Sequence, residues 1–205
     1  MHDIIQTFLL GLMIGLTGAL APGPTLVATI NASITGDWKI GPKVMAGHMI
    51  VESVLFLLIV LGLATLALPY TTAIAVIGGI ALIVFGGLTI MGSRGASINN
   101  PVQGTVSNPY VAGLVTSATN PYFWIWWLTI GSAMVIAGLA GGIVLAAVFM
   151  IGHWCADLGW YTLVSAGVSQ GRSILSDTSY RRIMALCGVF LILFGAYYLS
   201  ILYVQ

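Results

Sequence analysis

Apolar residues run along almost the whole chain in long blocks, which we place at about 4 to 30, 44 to 67, 72 to 92, 110 to 136, 140 to 166 and 182 to 204. Each block supplies the roughly 20 residues that a helix needs to cross a hydrocarbon core. The pattern predicts an all-α integral membrane protein of six transmembrane helices. The only long connection is 93 to 109, where Asn99, Asn100, Pro101, Gly104, Asn108 and Pro109 have turn and linker chemistry. It divides the chain into a first three-helix unit, 1–92, and a second, 110–205.

The two units share three landmarks in the same order. Ala-Pro-Gly-Pro at 21 to 24 matches Thr-Asn-Pro-Tyr at 119 to 122 as a proline break inside a long apolar run. Gly-His-Met-Ile-Val-Glu at 47 to 52 matches Gly-His-Trp-Cys-Ala-Asp at 152 to 157, and Gly79 to Gly86 matches Gly188 to Gly195. A unit of three spans returns the chain to the opposite side, so the second unit enters the membrane inverted. Inverted repeats of this kind are typical of secondary transporters.

At the breaks, Pro22, Pro24 and Pro121 lack an amide hydrogen and clash with the carbonyl one turn earlier. The carbonyls of Gly18, Leu20 and Ser117 are therefore expected to lack helical partners, and Gly23 eases departure from helical geometry. Helix starts at Thr25 and Leu26, and at Tyr122 and Phe123, offer amides at the positive end of a dipole. The expected solute site is Pro22, Gly23, Pro24 and Thr25 with Asn120, Pro121 and Tyr122. The alternative is a pair of kinks whose carbonyls are met by hydroxyls such as those of Thr17 and Thr116.

His48 and Glu52 are four residues apart, as are His153 and Asp157, so each pair shares one helix face. A carboxylate at mid-span costs about 2.5 to 3.5 kcal/mol on insertion scales, which calls for a compensating role. Proton coupling, cation binding and metal coordination by these four residues all fit; so does simple neutralisation of each carboxylate by its own histidine. Trp124, Trp126 and Trp127 follow the second break and are expected to pack against lipid or helices, with a cation-attracting wall as the alternative. The paired glycines at 78, 79, 86, 87, 188 and 195 predict close helix contacts.

Of the 205 residues 59% are hydrophobic and only 5% charged, against about a quarter charged in a soluble domain. A net charge of +1 without a basic stripe excludes nucleic acid as a partner. Lys39 and Lys43, Arg94, and Arg172, Arg181 and Arg182 fall in three alternate connections, which the positive-inside rule places in the cytoplasm. The expectation is a multi-pass protein of the cytoplasmic (inner) membrane with both termini extracytoplasmic and the 93 to 109 linker inside. His2 and Asp3 precede the first block, which is expected to be a helix of the mature protein. Tyr70, Tyr110, Tyr203 and Trp38 are expected interfacial anchors. Cys155 and Cys187, lacking the spacing of a disulfide or zinc site, are expected to pack as small apolar residues. No motif calls for a cofactor, and the His-Glu-x-x-His of a zinc protease is absent, so an intramembrane enzyme is the weaker alternative.

Ala-Pro-Gly-Pro in the first helix, Gly-His-x-x-x-Glu opening the second and Asn-Pro followed by aromatics in the fourth resemble the lysine exporter (LysE/RhtB) family of translocators. The resemblance covers nearly the whole chain. It implies six helices, an inverted repeat and efflux of amino acids or related small solutes coupled to protons. Many members have lysine after Asn-Pro where this chain has Tyr122, and related families of the same superfamily export divalent metals. Expected partners are thus a small solute, protons and the lipid bilayer, and the sequence leaves room for a homo-oligomer.

Overall fold

The computed structural model describes residues 4–62, 70–97, 108–171 and 176–201. These residues are helical between short turns, with no strand among them. In chain order the helices are α1 (Ile4–Ala19), α2 (Pro24–Thr35), α3 (Ile40–Val60), α4 (Thr71–Ser93) and α5 (Pro109–Ala118). They continue as α6 (Pro121–Trp126), a π-helical turn (Trp127–Gly131), α7 (Ser132–Ala140), α8 (Ile143–Gly171) and α9 (Asp177–Ile201).

Five segments are long and apolar enough to cross a bilayer, and the bent pair α1–α2 makes a sixth. The protein is a multi-pass membrane protein, and large apolar residues such as Ile77, Leu163, Leu186 and Leu193 lie exposed on its outer face. Several boundaries differ from the sequence expectation. Helix α3 begins at Ile40 rather than 44 because Pro42 falls in its first turn, where a missing amide is tolerated. Helix α8 runs on to Gly171, past 166, because nothing between them breaks a helix. Between α7 and α8 the chain turns at Gly142, whose φ of +110° suits a residue without a side chain. Most of the 93 to 109 linker, Arg172 and Tyr203 lie outside the described residues.

Both expected breaks are present, in different forms. In the first half neither piece spans alone, and α1 and α2 meet at 79°. In the second, Pro121–Ala140 is itself a candidate span, preceded by the ten-residue α5. Pro24 and Pro121 each open a helix, the position where proline's missing amide would have had no intrahelical partner.

Small residues draw the halves together. A Cβ added at Gly11 or Gly152 would overlap the carbonyl of Phe149 or Phe8 across the α1–α8 contact. Gly47 and Gly113 stand likewise against the carbonyls of Tyr110 and Val44 across the α3–α5 contact. In the α4–α9 pair, Gly86 faces the carbonyl of Gly188, and Gly79 that of Gly195. Backbones can approach this closely only where side chains are absent, the packing mode that lipid-facing helices favour.

Two apolar cores result. At the end holding the described basic residues, Leu26, Ile30 and Ile34 of α2 meet Val44 and Met45 of α3, Tyr161 of α8 and Met184 of α9. At the other end Leu55, Ile59, Phe123, Trp126, Trp127 and Phe149 pack together. The site lies between them.

Candidate functional site

Glu52 and Asp157 are buried within helices α3 and α8, which cross antiparallel, so that Gly41 meets Tyr161 while Glu52 meets His153. Each histidine sits one turn before its carboxylate, and the crossing places all four side chains in one cluster. Nε2 of His48 and Nε2 of His153 both lie 2.9 Å from Oε1 of Glu52. Oδ2 of Asp157 is 3.3 Å from His153 and 3.8 Å from His48. The two pairs thus meet in a quartet centred on Glu52, whose histidine from the other half is as close as its own.

The breaks converge on the same point. Gly23 is the N-cap of α2 and Asn120 that of α6, and a Cβ on Gly23 would stand 3.3 Å from Nδ2 of Asn120. A single cavity of about 40 Å³ joins the two caps to the quartet. Its walls include Gly23, Thr25, Asn120, Tyr122, His48, Glu52, His153 and Asp157, together with Ala21, Phe123, Trp126, Trp127 and Tyr161. One water needs roughly 10 to 15 Å³ measured this way, so the cavity admits a few waters or a small ion.

Pro22, Pro24 and Pro121 are not among the lining residues. They shape the break while the N-caps beside them face the gap; a Cβ on Gly78 of α4 would lie 3.1 Å from the Cβ of Pro121. The two helix starts also differ. Asn120 Oδ1 accepts the amide of Tyr122 at 3.1 Å, so that amide is already satisfied. Gly23 has no side chain with which to cap α2. The carbonyls of Gly18 and Ser117 are not free either, because Ala21 and Asn120 donate to them at 3.2 and 3.1 Å in turn-like bonds. Tyr122 donates its hydroxyl to the Thr17 carbonyl at 3.2 Å, tying α6 to α1, and the hydroxyls of Thr25 and Thr116 meet at 3.1 Å.

Trp126 and Trp127 are buried wall residues rather than lipid-facing ones. Nε1 of Trp126 donates to Oγ1 of Thr17 at 3.3 Å, and Nε1 of Trp127 to Oε1 of Glu52 at 3.2 Å. The π-helical turn begins at Trp127, immediately after Trp126 ends α6. The tryptophan run was the only sequence signal for this contact. Cys187 is buried, as packing requires, whereas Cys155 is exposed; both are free thiols.

Buried titratable groups gathered beside two broken helices are the arrangement expected of a membrane translocator, because polar backbone and charge within a membrane are tolerated where they are buried in protein or line a cavity. A family model described as LysE type translocator matches residues 16–201. The chain belongs to that family, a family of transporters of small solutes. No curated protein and no solved structure matches the chain.

Proposed function

We propose that the protein is a secondary transporter exporting a small solute, an amino acid or derivative, by proton antiport across the cytoplasmic membrane. The observation that carries this reading is the meeting of donors and acceptors in one cavity. The uncapped start of α2 at Thr25 and the Nδ2 of Asn120 form its donor side, and Glu52 and Asp157 its acceptor side. A zwitterion has the complementary ends: its carboxylate faces the amides of the half-helix and its ammonium faces the carboxylates. Glu52 and Asp157 couple transport to protons, with His48 and His153 tuning them.

The matched contacts α1 on α8 and α5 on α3 support two inverted halves, 1–92 and 110–205, joined by a cytoplasmic linker. Both termini then lie outside. A second reading, export of a divalent cation, is favoured by one observation. Ligand atoms of His48, Glu52 and Asp157 all lie within 4.8 Å of one another.

Proteoliposomes loaded with radiolabelled amino acids or with a divalent ion such as Mn²⁺, under an imposed pH gradient, separate the readings. Gradient-driven exchange of an amino acid is the expected result. Exchange of the ion alone would replace the first reading by the second, and exchange of neither would overturn both.

A further inference from the structure

The two histidines of the quartet have unequal surroundings. Oγ of Ser117 lies 2.6 Å from the Gly113 carbonyl, which can only accept, and 2.5 Å from His48 Nδ1; with its one hydrogen given to the carbonyl, it accepts from His48. His48 is thereby held with its hydrogen on Nδ1, and Nε2 keeps a lone pair directed at the cavity. His153 has no such partner, and its Nδ1 is buried without a hydrogen bond. At the matching crossing Gly15 stands beside that nitrogen, where a Cβ would come within 2.9 Å, and glycine offers no hydroxyl. His153 therefore places its hydrogen on Nε2 and donates to Oε1 of Glu52 at 2.9 Å.

Trp127 completes the arrangement. Indole nitrogen is a donor only, so with His153 it supplies two hydrogen bonds to Oε1 of Glu52. Oε2 of Glu52 and Oδ2 of Asp157 are then left without a donor, and Nε2 of His48, an acceptor in this tautomer, lies 2.9 Å from Oε1 of Glu52 and 3.8 Å from Oδ2 of Asp157 with no hydrogen between them. Both of those carboxylate oxygens are buried and lack a hydrogen-bond partner, in side chains 1% and 4% exposed. A buried acceptor left unmatched is costly, and three together call for a positively charged group.

We propose that His48, Glu52 and Asp157 receive a cationic group, while His153, Ser117 and Trp127 act as positioning residues that orient those three acceptors. This deepens the export reading by naming the cationic end of what the site takes, either an ammonium or a metal ion. The local geometry stands whether or not the solute is exported.

The full chain has three histidines, so ¹⁵N-histidine labelling of purified protein gives a spectrum that is simple to assign. Long-range ¹H–¹⁵N correlation should show the neutral rings of His48 and His153 in opposite tautomers, Nδ1–H and Nε2–H. In Ser117→Ala, His48 should lose its preference and His153 keep its own. Binding is read by titration with Co²⁺ alone and with methylammonium alone, which distinguishes a metal ion from an ammonium. Loss of partners that orient ligands commonly weakens binding 10- to 100-fold, so Ser117→Ala and Trp127→Phe should each weaken binding of whichever probe binds by roughly tenfold or more. Trp127→Phe keeps an aromatic ring in the wall while removing the indole donor, and should leave both tautomers unchanged. Like tautomers in the wild type, or unaltered affinity in both variants, would overturn the positioning roles. Opposite tautomers with neither probe bound would overturn the cation site, and binding without export would count against the transport reading alone.

Discussion

Gly23 and Asn120 occupy the same place in the two halves and treat the following helix in opposite ways. Asn120 satisfies the amide of Tyr122, whereas Gly23 leaves the start of α2 without a side-chain cap. Asn120→Ala should therefore cost about 1 kcal/mol, as loss of an N-cap does. In purified protein this is a fall of about 2 to 4 °C in the unfolding midpoint; an unchanged midpoint would show that the cap contributes nothing. The residues with a fixed spacing were legible in the sequence, since His48 with Glu52 and His153 with Asp157 had to share helix faces. Their meeting was not, because it depends on where α3 crosses α8. Nor could the sequence show that Ser117 would matter through its hydroxyl rather than its carbonyl, or that Trp127 would reach Glu52.

Among the elements, the breaks were legible because proline removes an amide wherever it stands, and the observed breaks fall at 20–23 and 119–120, immediately before Pro24 and Pro121. Their inequality was not legible. A bend of 79° between α1 and α2 depends on tertiary packing, and the π-helical turn after Trp126 leaves no distinctive spacing in the sequence. The glycine ladder of α4 and α9 was plain; the structure gives partners across that pair to Gly79, Gly86, Gly188 and Gly195, sets Gly78 against α6, and leaves Gly87 with no neighbour at its Cβ position. Because a Cβ on Gly188 would lie 2.6 Å from Cγ1 of Ile90, Gly188→Val should force the two helices apart. Overpacking of this kind costs about 1 to 3 kcal/mol. A lower unfolding midpoint with the helices still inserted is the expected result. An unaltered midpoint would mean that the α4–α9 contact is looser than its geometry implies.

For the whole molecule, the cavity lies between two apolar cores, the α2–α3–α8–α9 core on the side of the basic loops and the tryptophan-rich core on the other. A translocator working by alternating access must loosen these cores in turn. The quartet draws His48 and Glu52 from one half and His153 and Asp157 from the other, so relative motion of the halves would change the very contacts that hold its charges. A carboxylate in a dry site favours its neutral form, whereas a neighbouring imidazolium favours its charged form, which gives the motion a means of taking up and releasing protons. The central claim is that this quartet couples transport to the proton gradient, and its most direct test is proton-driven efflux from vesicles containing Glu52→Gln or Asp157→Asn protein, with insertion and folding verified for each. The account predicts that both variants lose most gradient-driven efflux, about tenfold or more if one unit of proton-coupling free energy, 1.36 kcal/mol, is forfeited. Wild-type rates with unchanged pH dependence in both variants would contradict it, and would leave the quartet as a self-neutralising structural cluster.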